Sequence, residues 1–168
     1  MDNLDAYIKL IQHPVFSIEQ VEQLVGKRST AYALLTRLIN KGVVVKIRGG
    51  LYSPINLVTK EITASPYQIA CAVADNAFLC QATAMAYHGI QPRPLLELQI
   101  AADSRFNPFS FDGKLYKQIT IQGRFGLIAS DKEQGVRTTD LKKTFLTASN
   151  GAFIQSWRLV VPERVVRS

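Results

Sequence analysis

One long stretch of this chain has no acidic residue. Between Lys27 and Lys60 there is no Asp or Glu, while Lys27, Arg28, Arg37, Lys41, Lys46, Arg48 and Lys60 all fall there. Other absences narrow the reading further. No uninterrupted apolar run approaches the roughly 20 residues of a membrane-spanning helix. The first ten residues, MDNLDAYIKL, are acidic and polar, unlike a signal peptide, so the expected location is cytoplasmic. Cysteine is scarce. Cys71 and Cys80 stand alone in apolar surroundings with no C-x-x-C, so they read as buried free thiols and neither a disulfide nor a zinc site is expected. Glycine-rich phosphate loops, HExxH and GxSxG are all missing. Acids after residue 60 are scattered; Asp103, Asp112 and Asp131 have no common spacing that would hold a metal ion. No enzyme, metal or cofactor is therefore expected.

What is present is segregated charge and a short series of elements. Net charge is −3 over residues 1–26, +7 over 27–60, −3 over 61–104 and +6 over 105–168, which together make the chain +7. A basic block free of acid suits a polyanion. Leu4, Tyr7, Ile8 and Ile11 follow helical spacing and predict a first helix closed by Pro14. Ser17 with Gln20 forms a capping-box pattern for a second helix, buried through Ile18, Val21, Leu24 and Val25 and ended by Gly26. Ser29 is expected to open a third helix that runs to Gly42. Its apolar face holds Ala31, Leu34, Leu35, Leu38 and Ile39; Ser29, Ala33, Thr36, Arg37 and Asn40 lie opposite, flanked by Thr30 and Tyr32. Then VVVKIRGGLYS reads as a β-hairpin. Val43, Val45 and Ile47 are expected to close the three-helix core, and Gly49-Gly50 to supply positive φ angles at the turn.

Three helices and a two-stranded ribbon make a winged helix-turn-helix over residues 1–54, whose third helix enters the DNA major groove. On that reading Lys27 and Arg28 hold a phosphate at the helix N-terminus, and Arg37 and Asn40 contact bases or phosphates. Lys46 and Arg48, beside Gly49 and Gly50, are the wing's phosphate contacts. Residues 55–64 read as a linker or crossing strand, and 65–146 as a smaller α+β domain. In that domain Ser65-Pro66 starts a helix, FLCQATAMAYHGI continues as another, and His88 caps helix-end carbonyls. Strands are expected at 96–102, at 112–122 after an Asp-Gly turn, and at 125–130. Arg105, Lys114, Lys117 and Arg124 make this sheet basic, either as an extension of the DNA footprint or as a solvated edge. The fold class is thus α+β. A protein-interaction module that docks an acidic partner, and a nucleic-acid-processing enzyme, stay open as alternatives.

The ordered series LLTRLINKGVVVKIRGGLYSP, SPYQIACAVADNAFLCQATAMAYHGI and LELQIAA resembles the AbiE-type antitoxins over residues 15–146 or so. These are winged-helix regulators of type IV toxin–antitoxin systems. The resemblance implies an autorepressor that binds double-stranded DNA at inverted repeats, with a homodimer as the matching symmetry. It also implies a functional link to a nucleotidyltransferase-like toxin without a stable complex. After GVRTTDLKKTFL the chain departs from the family, so residues 147–168 are expected to be a divergent or truncated C-terminal segment.

Overall fold

The computed structural model describes residues 3–90, 95–121 and 126–148. Those residues form a mixed α+β fold with six helices and two sheets. The N-terminal part runs α1 (Asn3–Leu10), β1 (Phe16–Ser17), α2 (Ile18–Val25), α3 (Arg28–Asn40), β2 (Val44–Arg48) and β3 (Leu51–Pro54). Its three strands are ordered β1-β3-β2, all antiparallel. Strand β1 has no counterpart in the sequence reading, because a two-residue strand exists only through its partner, here Tyr52 and Leu51.

Local chemistry sets the helix ends. The Ser17 hydroxyl accepts the Gln20 N–H and the Gln20 side chain accepts the Ser17 N–H (3.4 and 2.7 Å), closing the expected capping box. Gly26 then takes the left-handed conformation (φ 82°) that ends α2. Only Lys27 separates it from α3, so Lys27, extended and without a side-chain cap, is the N-cap, and Ser29 already lies inside the helix it was expected to open. Ala31, Leu34, Leu35 and Leu38 are buried as expected, but Ile39 lies at the edge of the face and is 36% exposed. Helix α1 is rotated from its expected aspect. Ala6 and Leu10 face the core and Tyr7 is partly buried, while Ile8 and Ile11 are 45% and 43% exposed. Ala6 and Leu10 join Val21, Leu34 and Leu35 in the N-terminal core.

The hairpin differs most from expectation. Only Gly50 has a positive φ (79°), and the register shifts between Lys46 and Arg48, so a bulged turn replaces the symmetrical one. Val44 and Tyr52 pack with Phe16, Ile18, Leu35 and Leu38 in the N-terminal core, with Val43 alongside. Ile47 and Leu51 instead join Ile69, Leu79, Leu98 and Tyr116 in a second core. The expected Val43/Val45/Ile47 face therefore does not close the helical core. Both faces of the hairpin are covered, one by each core. The buried Ser53 hydroxyl donates to the Pro14 carbonyl (2.8 Å) and fixes β3 to the segment leading into β1.

Residues 55–64 are a locked loop rather than a slack linker. Ile55 bridges Ile62, the Asn56 N–H donates to the Glu61 carbonyl (2.8 Å), and the Asn56 side chain accepts the Val58 and Thr59 N–H groups (2.9 and 3.2 Å). The second part continues with α4 (Pro66–Ala72), β4 (Phe78–Leu79), α5 (Gln81–Tyr87), β5 (Glu97–Ala101), β6 (Phe109–Phe111), β7 (Lys114–Gln118), β8 (Leu127–Ala129), β9 (Arg137–Thr139) and α6 (Leu141–Ala148). Its sheet is ordered β6-β7-β5-β4-β9-β8, with β5–β7 and β4–β9 parallel. Ser65 and Gln68 close the second expected capping box. Asp112 and Gly113, both at positive φ (49° and 71°), make the expected turn between β6 and β7. Phe78 and Leu79, read as helical, instead form a central strand, and α5 begins after them. His88 does not cap helix carbonyls with its ring; Nε2 bonds the Thr139 carbonyl (2.8 Å), joining α5 to β9. The segment 149–168, including Trp157, Arg158, Arg164 and Arg167, lies outside the described residues, as does Arg124.

Both thiols are buried and unpaired. Burial pushes Cys71 up to about 11 and Cys80 up to about 12, from an ordinary value of 9.0. The neutral thiol is the favoured native form. Its contribution is complete below pH 9 and is lost as the pH rises toward 11–12, because the unfolded thiol ionises first. Unfolding midpoints of the native chain are therefore expected to fall between pH 9 and 11 more steeply than those of a C71A/C80A variant. Leu51→Ala, opening a cavity between the cores, is expected to cost about 2–4 kcal/mol. Far-ultraviolet dichroism and Cys71/Cys80 alkylation should report that loss as one shared transition; separate transitions would show that the two cores unfold independently.

Candidate nucleic-acid interface

The exposed residues of α3 fall along its solvent side because the buried ones repeat at helical spacing on the other. Ser29, Thr30, Ala33, Thr36, Arg37 and Asn40 are all exposed, and Tyr32 is half-exposed beside them. This surface has no carboxylate of its own. Arg37 makes no ion pair or side-chain hydrogen bond among the described residues. With Thr30 and Ala33 it lines a cleft of about 350 Å³ whose apolar wall is Ala6, Leu24 and Val25. The Thr36 hydroxyl donates to the Tyr32 carbonyl one turn back (2.9 Å), so its oxygen faces outward only as an acceptor.

At the N-terminus of α3 the two expected phosphate ligands differ. Lys27 is exposed and makes no ion pair among the described residues. Arg28 is engaged by α2: its guanidinium lies 3.2 Å from the Glu22 carboxylate and 3.5 Å from that of Glu19, and 5.9 Å from the Tyr32 ring centroid. Glu19 is held below the usual carboxylate range by its own backbone N–H first, then by the Ser17 hydroxyl, and also by Arg28. Arg28 thus joins α3 to α2, and two carboxylates stand where a phosphate was expected.

The hairpin tip is tied on both sides. The Gly50 carbonyl accepts the Ile18 N–H (2.9 Å), at the start of α2. On the other side Arg48 leaves the solvent. The bulge pairs Arg48 with Leu51, whose side chain belongs to the second core, whereas Lys46 pairs with Tyr52 of the first. Paired residues share a face of the ladder, so the bulge turns Arg48 toward the second core. Its guanidinium lies 4.9 Å from the Phe109 ring centroid and 5.8 Å from that of Phe106. Phe109 in turn stacks on the buried Tyr116 (4.8 Å, 5°). One terminal nitrogen of Arg48 is buried without a hydrogen-bond partner. Of the two cations expected at the wing, Arg48 thus packs against the second core and Lys46 is exposed. Gly49 is exposed and Gly50 partly covered at the tip.

The structure brings Ser29, Thr30, Ala33, Thr36, Arg37 and Asn40 onto one surface; Arg28 stays exposed but is paired with Glu19 and Glu22, and Arg48 turns toward the second core. Helical spacing does not select Lys41 and Lys60, both exposed, although the acid-free charge block contains them. Of the cations in the second sheet, Lys117 pairs with Glu97 (2.7 Å), Arg105 is exposed and Lys114 half-buried. Asp103 accepts a hydrogen bond from Asn76 (2.6 Å), Asp112 occupies the β6–β7 turn and Asp131 is exposed. No group of three or more His, Cys, Asp or Glu among the described residues is placed to hold a metal ion.

Two opposed effects act on Arg48. Its aromatic contacts contribute about 0.5–2 kcal/mol, and the unpartnered buried nitrogen costs about 1–3 kcal/mol. Arg48→Met keeps the apolar stem and removes the cation, so stability is expected to stay within about 1 kcal/mol of the native chain in urea unfolding. A loss above about 3 kcal/mol would reveal a strong partner for the guanidinium.

The chain matches no protein-family model and no curated protein.

Proposed function

We propose that this chain is a DNA-binding transcriptional regulator of the winged helix-turn-helix type, with α3 entering the major groove. The observation that carries the reading is the exposed face of α3, which combines small and polar side chains with Arg37, lacks any carboxylate, and belongs to the acid-free basic block. Small residues permit close approach to base edges, and an unpaired arginine suits guanine or phosphate. The short N-terminal connection between α2 and α3 and the antiparallel β2–β3 ribbon support the same assignment. The contact set proposed is Lys27, Ser29, Thr30, Ala33, Thr36, Arg37, Asn40 and Lys46, with Tyr32 at the margin. Gly49 and Gly50 shape the tip.

The likeness to AbiE-type antitoxins extends the proposal to an autorepressor of a toxin–antitoxin operon that acts at inverted repeats. Its target is double-stranded DNA, and its functional counterpart is a nucleotidyltransferase-like toxin.

Mobility shifts with the region upstream of the chain's own operon test the reading. The protein is expected to prefer that DNA over random duplex by at least about a thousandfold. Equal affinity for both would overturn sequence-specific regulation. Arg37→Ala is expected to weaken specific binding by about 1–3 kcal/mol if it reads a base. Lys46→Ala is expected to lessen the slope of log affinity against log salt by about one, while Arg48→Ala leaves that slope unchanged.

A further inference from the structure

The apolar arc of α1 is wider than the core beneath it. Ala6 and Leu10 face inward, yet Ile8 and, just past the helix end, Ile11 remain nearly half-exposed on the outer side. Asp5 and Lys9 border this strip and are themselves one turn apart, and both are exposed. Neither makes an ion pair or side-chain hydrogen bond among the described residues. A strip of β-branched side chains with an unpaired acid and base along one border is the composition of a helix-pairing surface.

We propose that α1 is the surface through which two copies of this chain associate, with the two helices antiparallel about a two-fold axis. The argument for a second copy is charge complementarity. When a helix pairs antiparallel with itself, the same flank of each helix meets across the axis. Asp5 of one copy then faces Lys9 of the other, and the reciprocal pair forms on the far side of the axis. Ile8 and Ile11 of both copies fill the space between. The pattern is self-complementary as it stands; a different partner would have to supply both signs of charge in the reverse order. The inference goes beyond DNA binding and does not depend on it.

A helix of eight residues buries less surface than a permanent dimer requires, so the association is a weak one. Sedimentation velocity of the intact chain without DNA, from about 5 to 500 μM, is expected to show a concentration-dependent rise from monomer to dimer in that weak range. Ile8→Lys, at an exposed position, should leave the thermal midpoint nearly unchanged and keep the chain monomeric throughout. Asp5→Lys should weaken association about fivefold or more, because two attractive pairs become two repulsive ones. The swap D5K/K9D should restore it to within about threefold of the native value. A chain that stays monomeric over the whole range overturns the proposal. So does a dimer that survives Ile8→Lys, which places the interface elsewhere, or one that D5K/K9D fails to restore. The DNA-binding reading stands or falls separately, on the mobility shifts with monomeric Ile8→Lys protein at a single half-site.

Discussion

The β2–β3 hairpin is buried from two sides, and most of the structure depends on that. Val44 and Tyr52 belong to the core under the three N-terminal helices, while Ile47 and Leu51 belong to the core over the six-stranded sheet. A two-stranded ribbon is marginal in water by itself. Here it gains its stability by serving as the wall between two hydrophobic cores. The constraint runs outward from there. Ser53 joins the wall to Pro14, the Gly50 carbonyl joins its tip to α2, and the 55–62 loop closes on its far end. Helix α3 is therefore held by a ribbon that the second sheet holds in turn, and its exposed face has a fixed direction.

The same arrangement divides the basic residues by role. Charge alone treats Lys27, Arg28, Arg37, Lys46 and Arg48 as one block. Packing separates them. Arg28 is compensated by Glu19 and Glu22, Arg48 lies over Phe109 and Phe106, and Arg137 donates to the Ala77 and Cys71 carbonyls (2.9 and 3.2 Å) as a structural tie. Lys27, Arg37 and Lys46 are exposed. Three arginines are thus engaged by groups of the fold itself, and the exposed, unpaired cations of the basic block are fewer than its net charge suggests.

Features fixed within a few residues were legible in the sequence. The two Ser-x-x-Gln capping boxes, the Gly26 stop, the Asp112-Gly113 turn and the burial of both cysteines each follow from local chemistry or composition. Features decided by distant partners were not. Strands β1 and β4 are two residues long and exist because β3, β5 and β9 pair with them. Helix α1 shows a clear apolar period, yet which part of its arc is buried is decided by the neighbours it packs against. On α3 both faces were legible except at Ile39, on the boundary. Arg48 was misplaced because strict alternation assumes an unbroken ladder, and the register shift before it is set by the turn and by what lies beneath.

That register shift makes hairpin length matter more than hairpin composition. The two faces of the ribbon address different cores, Val44 and Tyr52 one and Ile47 and Leu51 the other. Exchanging one apolar side chain for another there alters volume, which neighbouring groups can absorb in part. Inserting or deleting a single residue between Lys46 and Leu51 would instead reverse the inside and outside of everything beyond it. Ile47 or Leu51 would turn to the wrong core, and the Arg48 cation would take its place. Relatives that diverge freely in sequence at this ribbon are therefore expected to keep its residue count, so a gap-free alignment through the hairpin is a more stringent mark of shared architecture than identity within it.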